Sequence, residues 1–291
     1  MKIIDTFLFY NEFDLLNYRL NILNDVVDYF ILVEATRTFK GVEKPLFYNS
    51  NKELYNQFSH KIIHVIVDDL YENPIVNNDE LKSHDNKYWR NERYQRDCID
   101  RGIRQLELND DDYILICDCD EIPNPDPLKY IRNNNIKYNC CKLQQSIYYY
   151  DLNHKHFQSQ DEPNIWFHPK MLSFGCYKND FNRKPSDTRY ICTINVDLIN
   201  IINGGWHLTY FGNTEFIKNK IKNFAHQELN NEKNTNKEYI DECIKNNILF
   251  FKNDDNGEEH TSSFLKYIPI SENDDLPPLY DKYLTKFYIS D

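Results

Sequence analysis

The sequence predicts an α/β fold built around a mainly parallel central sheet, and three observations carry that expectation. Short apolar runs alternate with helical patterns through the first half of the chain, which is the signature of βαβ units. Several of those runs end in acidic residues, an arrangement expected where the ends of parallel strands share one edge of a sheet and form a ligand site there. Aromatic residues make up 15% of the 291, whereas glycine occurs only 7 times, a composition that favours packed strands over a flexible chain.

The elements follow in order. Ile3 to Tyr10 reads as a first strand, and Phe13, Leu16, Leu20 and Leu23 then recur at helical spacing. YFILVEA, residues 29–35, is the second strand and KIIHVIVDD, residues 61–69, the third. A longer helix is expected from Asn86 to Leu108, and Asn109 to Asp112 is the polar turn leading into YILICDCDEIP, residues 113–123. Beyond Pro123 the alternation breaks down. A short helix near Pro127 to Asn133 precedes CCKLQQSIYYYDL (140–152), a polar aromatic loop with Trp166 and His168, and a strand-like Ile191 to Ile202. GGWHLTYFG (204–212) reads as a strand bounded by glycines, followed by a helix with the stripe Ile217, Ile221, Phe224, another helix beyond Tyr239 and a tail punctuated by proline. There is no internal repeat and no linker that would divide the chain, so one domain over residues 1–291 is expected.

Composition excludes some functions. The 34 basic against 46 acidic side chains give a net charge of -12, which repels phosphate backbones and anionic lipid; nucleic acid is not an expected partner. Of the 8 cysteines, Cys117 and Cys119 sit inside an apolar strand and Cys140 and Cys141 are adjacent. Neither arrangement suits a disulfide framework or a zinc site, so reduced, buried thiols are expected. The opening MKIIDTFLFY is too short to span a membrane and has no cleavage pattern, so a soluble, cytosolic (cytoplasmic) protein is the expectation.

The chemistry concentrates where strands end. Strand one runs into Asn11 and Glu12, strand two into Glu34, strand three into Asp68 and Asp69, and the fourth into Asp118, Asp120 and Glu121. With right-handed crossovers all of these ends fall on one edge. Asp118 and Asp120, mounted on a rigid apolar strand, are suited to a sugar hydroxyl and to a hard divalent cation that neutralises a leaving diphosphate. On the preceding helix the stripe Trp89, Glu92, Arg96, Ile99, Ile103, Leu106 turns polar toward its start. Arg96 there either faces phosphate oxygens or pairs with Glu92 one turn away. His207 stands among Gly204, Gly205 and Gly212, where a neutral imidazole either completes a metal shell beside Asp120 or is an ordinary core histidine. Trp206 either stacks on a sugar face or belongs to the core, and His226 and Glu228 fit a solvated face equally well.

Taken together, IIDTFLFYNEFDLLNYRL, DVVDYFILVEATRTFKG, NERYQRD, DYILICDCDEIP and GGWHLTYFG resemble, in that order, the segments of glycosyltransferase family 17, over residues 3 to at least 229. The resemblance implies a GT-A fold: a Rossmann-like nucleotide-binding half (1–123) joined to an acceptor half with C-terminal helices (124–291). It implies a metal-dependent, inverting transfer of a sugar, N-acetylglucosamine in the first instance, from a UDP-sugar donor to a glycan hydroxyl, with Mn²⁺ or Mg²⁺ as cofactor. On the matching positions, Asp118, Asp120 and His207 are the implied metal ligands, and Asp5, Glu34, Glu92, Arg96 and Asp118 the implied donor-binding residues. Animal members of the family carry an N-terminal anchor, whereas this sequence begins at the catalytic strand; a microbial or large-virus setting, with an acceptor other than an N-glycan, is the expectation. Inversion requires a carboxylate base, for which Glu215 matches a family position and Asp151 and Glu228 are rivals. Two other classes stay open: a nucleotidyltransferase or sugar-phosphate enzyme, which would release pyrophosphate in place of UDP, and a carbohydrate-binding protein without chemistry.

Overall fold

The structure, a computed structural model, describes residues 1–72, 87–189, 198–249 and 263–290. Its strands are β1 Ile3–Phe9, β2 Tyr29–Ala35, β3 Ile62–Val67, β4 Tyr113–Asp118, β5 Glu121–Pro123, β6 Cys140–Tyr149, β7 His154–Ser159, β8 Glu162–Pro163, β9 Ile165–Trp166, β10 Lys170–Ser173, β11 Leu198–Thr209 and β12 Phe264–Tyr267. The α-helices are α1 Phe13–Leu23, α2 Phe47–Asn51, α3 Lys87–Asp97, α4 Ile99–Ile103, α5 Pro125–Asn133, α6 Phe174–Asn179, α7 Pro185–Arg189, α8 Thr214–Asn223, α9 Lys237–Lys245 and α10 Tyr280–Tyr283.

The architecture is mixed α/β. At one end of the sheet β4, β1, β2 and the edge strand β3 lie side by side and parallel, so the C-terminal ends of all four fall on the same side. The antiparallel β10 joins β4 to β6, and β6 pairs in parallel with β11. β11 in turn runs antiparallel to β5, placing His207 opposite Glu121. This joins the parallel strands to a mixed second half and brings the Gly-Trp-His segment to the end of β4.

Period-2 alternation in β1 explains the layering. Ile3, Phe7 and Phe9 face the cluster with Leu16, Leu20 and Leu23 of α1, and Ile4 and Leu8 face the other side with Ile99 and Ile103 of α4. Every residue of β1 is buried, as expected for a parallel strand covered on both faces. Asp5 belongs by the same alternation to the α1 side, and that decides its partner below.

Three elements depart from the sequence reading. The expected helix from 86 to 108 is broken at Cys98, where the Arg101 N–H donates to the Cys98 carbonyl three residues back (3.0 Å), tightening the turn; Asn86 lies outside the described residues. The two strands expected at 191–202 and 204–212 are one, β11, over Leu198–Thr209. Its register with β6 shifts between Ile201 and Gly205. Asn203 at φ 53° and Gly205 at φ 147° absorb the irregularity, as residues at a bulge do; residues 191–197 lie outside the described residues. The loop with Trp166 contains the two-residue strand β9, which pairs with β6. Among the described residues, no helix is long and apolar enough to cross a membrane.

Candidate active site

The loop joining β4 to β5 is held from beneath by one buried arginine. Asp5 on β1 takes Arg19 of α1 in a two-pronged ion pair, Nε to Oδ2 at 2.7 Å and Nη2 to Oδ1 at 2.6 Å, both side chains inaccessible to solvent. The remaining Arg19 nitrogen, Nη1, donates to the carbonyls of Asp118, Cys119 and Glu121 at 2.9, 3.3 and 2.8 Å. A planar fork of donors suits this task. Asp5, expected among the donor-binding residues, therefore acts on the loop through Arg19, and its own carboxylate is fully engaged.

Above that anchor, acids and cations interleave. Asp118 accepts from Arg96 Nη1 on one oxygen and from Arg189 Nη2 on the other, both at 2.6 Å. Glu121, with no exposed surface, accepts from Arg189 Nη1 and Nη2 at 2.8 and 2.6 Å, from the Asp118 N–H at 2.6 Å and from the Trp166 indole at 2.5 Å. Burial opposes its charge, but Arg189 prevails and holds the carboxyl far below the usual range. Arg96 also reaches Glu92 at 3.0 Å, so it makes the one-turn pair and at the same time faces the acid at the strand end.

Asp120 points elsewhere. Its Oδ2 takes the Lys220 ammonium of α8 at 2.6 Å, and its Oδ1 lies 3.8 Å from His207 Nε2. Burial raises the cost of its charge, yet Lys220 and His207 together outweigh it and keep the carboxyl below its ordinary value. Burial lowers the His207 imidazole, with Asp120 pulling the other way. Trp166 stacks on the His207 ring with centroids 4.5 Å apart, and His207 Nδ1 has no partner among the described residues. Glu12, just past β1, borders the same group. Its Oε2 accepts from the N–H groups of Tyr10 and Asn11, each at 3.0 Å, and burial raises its carboxyl against the opposing pull of Lys220.

The expected metal ligands divide under this geometry. A 3.8 Å separation is too long for a hydrogen bond, and it is short enough for one ion to touch both Asp120 and His207, since ligand distances run near 2.1 Å each. The lysine ammonium on Asp120 marks the same spot as one that takes positive charge. Asp118 does not join that pair, because both its oxygens are turned to arginines, and no group of three His, Cys, Asp or Glu side chains converges among the described residues. A Mg²⁺-like ion needs only one or two protein carboxylates when substrate phosphates and water complete its shell, so Asp120 with His207 fits the group.

Other expected residues lie apart. Glu34 is buried and accepts from the Tyr48 and Asn49 N–H groups at the start of α2 (2.9 and 3.3 Å), with His64 Nε2 at 3.2 Å; this is the work of a helix cap. Glu215 is exposed in the first turn of α8. Five residues separate it from Lys220, about 140° around the helix, which turns it from the face that meets Asp120. Asp151 accepts from the Asn153 N–H at 2.9 Å and lies 2.6 Å from His154 Nδ1, while Glu228 pairs with His226 Nδ1 at 2.6 Å. Trp206 is core, its indole donating to the Asp275 carbonyl at 2.9 Å. A concavity of about 500 Å³ lined by Asp110, Tyr113, Lys137, Cys176 and Asp180 opens at the opposite edge, by the start of β4, and shares no residue with the cluster.

Sequence reasoning missed Arg19, Arg189 and Lys220. Lys220 had one signal: it adjoins the apolar stripe Ile217, Ile221, so its head had to emerge at the rim of the core. Arg189 had none, lying 68 residues from Glu121 along the chain.

Known proteins resemble the chain in sequence. A segment of 126 residues, 42% of the chain, is 30% identical to the human and rat proteins named beta-1,4-mannosyl-glycoprotein 4-beta-N-acetylglucosaminyltransferase, and 29% identical to the mouse protein of that name. The match spans 22% of the length of each of those relatives. The model of glycosyltransferase family 17 matches much more of the chain, residues 1–252. That range runs from β1 through the Asp118–Glu121 loop to α9, and the chain belongs to glycosyltransferase family 17.

Proposed function

We propose that the chain is an inverting glycosyltransferase that moves a sugar, N-acetylglucosamine in the first instance, from a UDP-sugar to a glycan hydroxyl, in a GT-A arrangement. The observation that carries this reading is the Asp118–Glu121 loop. It is a rigid turn at the C-terminal edge of a parallel sheet, where nucleotides bind in open α/β folds, fixed from below by Arg19 and bordered by Arg96, Arg189 and Lys220.

In this reading Asp120 and His207 hold Mn²⁺ or Mg²⁺, which when bound neutralises charge on the leaving diphosphate. Asp118, locked between Arg96 and Arg189, is oriented toward the donor with its side chain about a third exposed, at 30%. Lys220 supplies an ammonium beside the departing phosphates. Trp166 braces His207 by stacking and Glu121 by its indole N–H, so both keep one orientation. The acceptor hydroxyl must lose its proton to a carboxylate. Glu12 has the properties of such a base: one oxygen tied down by two backbone N–H groups and a carboxyl raised by burial. It displaces the exposed Glu215 as the residue we assign to that step.

The test is incubation with UDP-N-acetylglucosamine and Mn²⁺ against a panel of oligosaccharides, with products resolved by mass spectrometry. Release of UDP with a gain of one N-acetylhexosamine on an acceptor is expected, and Glu12→Gln is expected to lower kcat about 10²-fold or more. Release of N-acetylglucosamine 1-phosphate, with the uridylyl group passing to the acceptor, would assign the site to nucleotidyl transfer instead.

A further inference from the structure

We infer that Lys220 makes divalent-cation binding at Asp120 conditional on a nucleotide diphosphate. The inference rests on the nucleotide-sugar reading above and deepens it.

Four observations support it. The Lys220 ammonium lies on the very carboxylate that would take the ion, 2.6 Å from Asp120 Oδ2, while His207 faces Oδ1. It cannot easily withdraw: Ile217 and Ile221 on the same helix are fully buried, and the ammonium sits 5.3 Å over the Tyr210 ring, an attraction that favours its present position. The other nearby cations are committed elsewhere, Arg96 to Asp118 and Glu92, and Arg189 to Asp118 and Glu121, so Lys220 is the cation paired with Asp120 among the described residues. Finally, the acids are already partly compensated. Glu12, Glu92, Asp118, Asp120 and Glu121 face Arg96, Arg189 and Lys220.

A divalent ion entering alone would meet a fixed positive charge on its principal ligand and would have to displace or abut it, in an environment where such repulsion is poorly screened. A diphosphate changes the balance. It brings negative charge to both cations, gives the ammonium new acceptors, and completes the ion's shell. Lys220 thereby converts two separate binding events into one coupled event, and the coupling is reciprocal: the ion strengthens nucleotide binding by the factor that the nucleotide strengthens ion binding. An enzyme so built holds the ion weakly in the absence of donor and engages ion and donor as a unit.

The test measures free Mn²⁺ by electron paramagnetic resonance during titration of the protein, with and without UDP. Wild type is compared with Lys220→Gln, which keeps a hydrogen-bond donor near Asp120 without the charge, and with Lys220→Arg, which keeps the charge. Without UDP, Lys220→Gln is expected to bind Mn²⁺ about tenfold more tightly than wild type, and the gain on adding UDP is expected to shrink by about the same factor. Lys220→Arg should behave as wild type. Equal Mn²⁺ affinity of wild type and Lys220→Gln without UDP, to within about twofold, would overturn the inference while leaving the nucleotide-sugar reading intact. Should Lys220→Gln fail to fold, Lys220→Met decides by the same comparison without UDP: Mn²⁺ binding about tenfold tighter than wild type supports the inference, and equal affinity to within about twofold overturns it. Binding of Mn²⁺ by wild type under neither condition would overturn the nucleotide-sugar reading and this inference together.

Discussion

Asp118 and Asp120 stand two apart in the sequence and meet different cations, because the chain turns between them and aims one at Arg96 and Arg189 and the other at Lys220. Their place at the strand end was legible from the apolar run that precedes them; their partners were not, since a strand-end acid carries no record of which distant helix will face it. Arg189 illustrates the consequence. Arg189→Met removes the partner of the fully buried Glu121, and breaking such a pair is expected to cost about 3–5 kcal/mol, read as a lowered denaturant midpoint. A second prediction concerns acid. Burial pushes His156 and His168 down to about 4 and lowers His207 as well, and His156 Nε2 lacks a hydrogen-bond partner among the described residues. The unfolded chain takes up protons on these imidazoles near the ordinary histidine value of about 6.5, before the folded one does. The stability they contribute is complete above about pH 6.5 and is lost as pH falls from there toward 4. The melting temperature should drop between pH 7 and 5, and His156→Phe should flatten that drop; a pH-independent melt over this range would contradict the assignment.

Among the elements, β11 departs most from the reading of its sequence. Gly204 and Gly205 looked like the boundary of a strand and are instead its bulge. Glycine is a punctuation mark when nothing else is known, and here it serves the close approach of β5: a Cβ built on Gly205 would lie 2.1 Å from the Ile122 carbonyl oxygen. The backbone at that position, φ 147°, is also one that side chains rarely adopt. Gly205→Ala should therefore destabilise the fold by at least the 1–3 kcal/mol, roughly, of a strained backbone conformation. It should also weaken nucleotide binding, because His207 two residues on is held opposite Glu121 by this pairing. A variant with unchanged melting temperature would show that β11 tolerates a shift of register. β1 and α1 were read more fully. Their apolar spacing located both elements, and the alternation that places Asp5 on the α1 side followed from it, but the Asp5–Arg19 pair needed the two faces brought together.

Across the molecule, the parallel half was legible because alternation of period 2 and period 3.6 is local, whereas the second half was not, since its pairings join strands far apart in sequence. The C-terminal segment is the clearest case. Its sequence read only as a tail punctuated by proline, yet Leu284 and Phe287 are buried in the cluster that holds Phe7 and Leu115, and Lys155 of β7 pairs with Asp275 at 2.5 Å. Leu284→Ala should cost about 2–5 kcal/mol, as for a leucine in any tight core; a near-neutral effect in urea unfolding would mean that the segment only lies against the domain. Asp275 accepts from Ser146 and Tyr148 of β6 and, on its carbonyl, from the Trp206 indole of β11, so the segment ties together the two strands that bring the Gly-Trp-His segment to the end of β4. The central claim is that the Asp118–Glu121 loop there receives a sugar nucleotide's diphosphate through Asp120. It is tested most directly by melting the wild type and Asp120→Asn with UDP and Mn²⁺ together, since a ligand that binds only the native form raises the melting temperature. The account predicts a rise in the wild type that is absent in Asp120→Asn; an equal rise in both proteins, or none in the wild type at millimolar UDP, would contradict it.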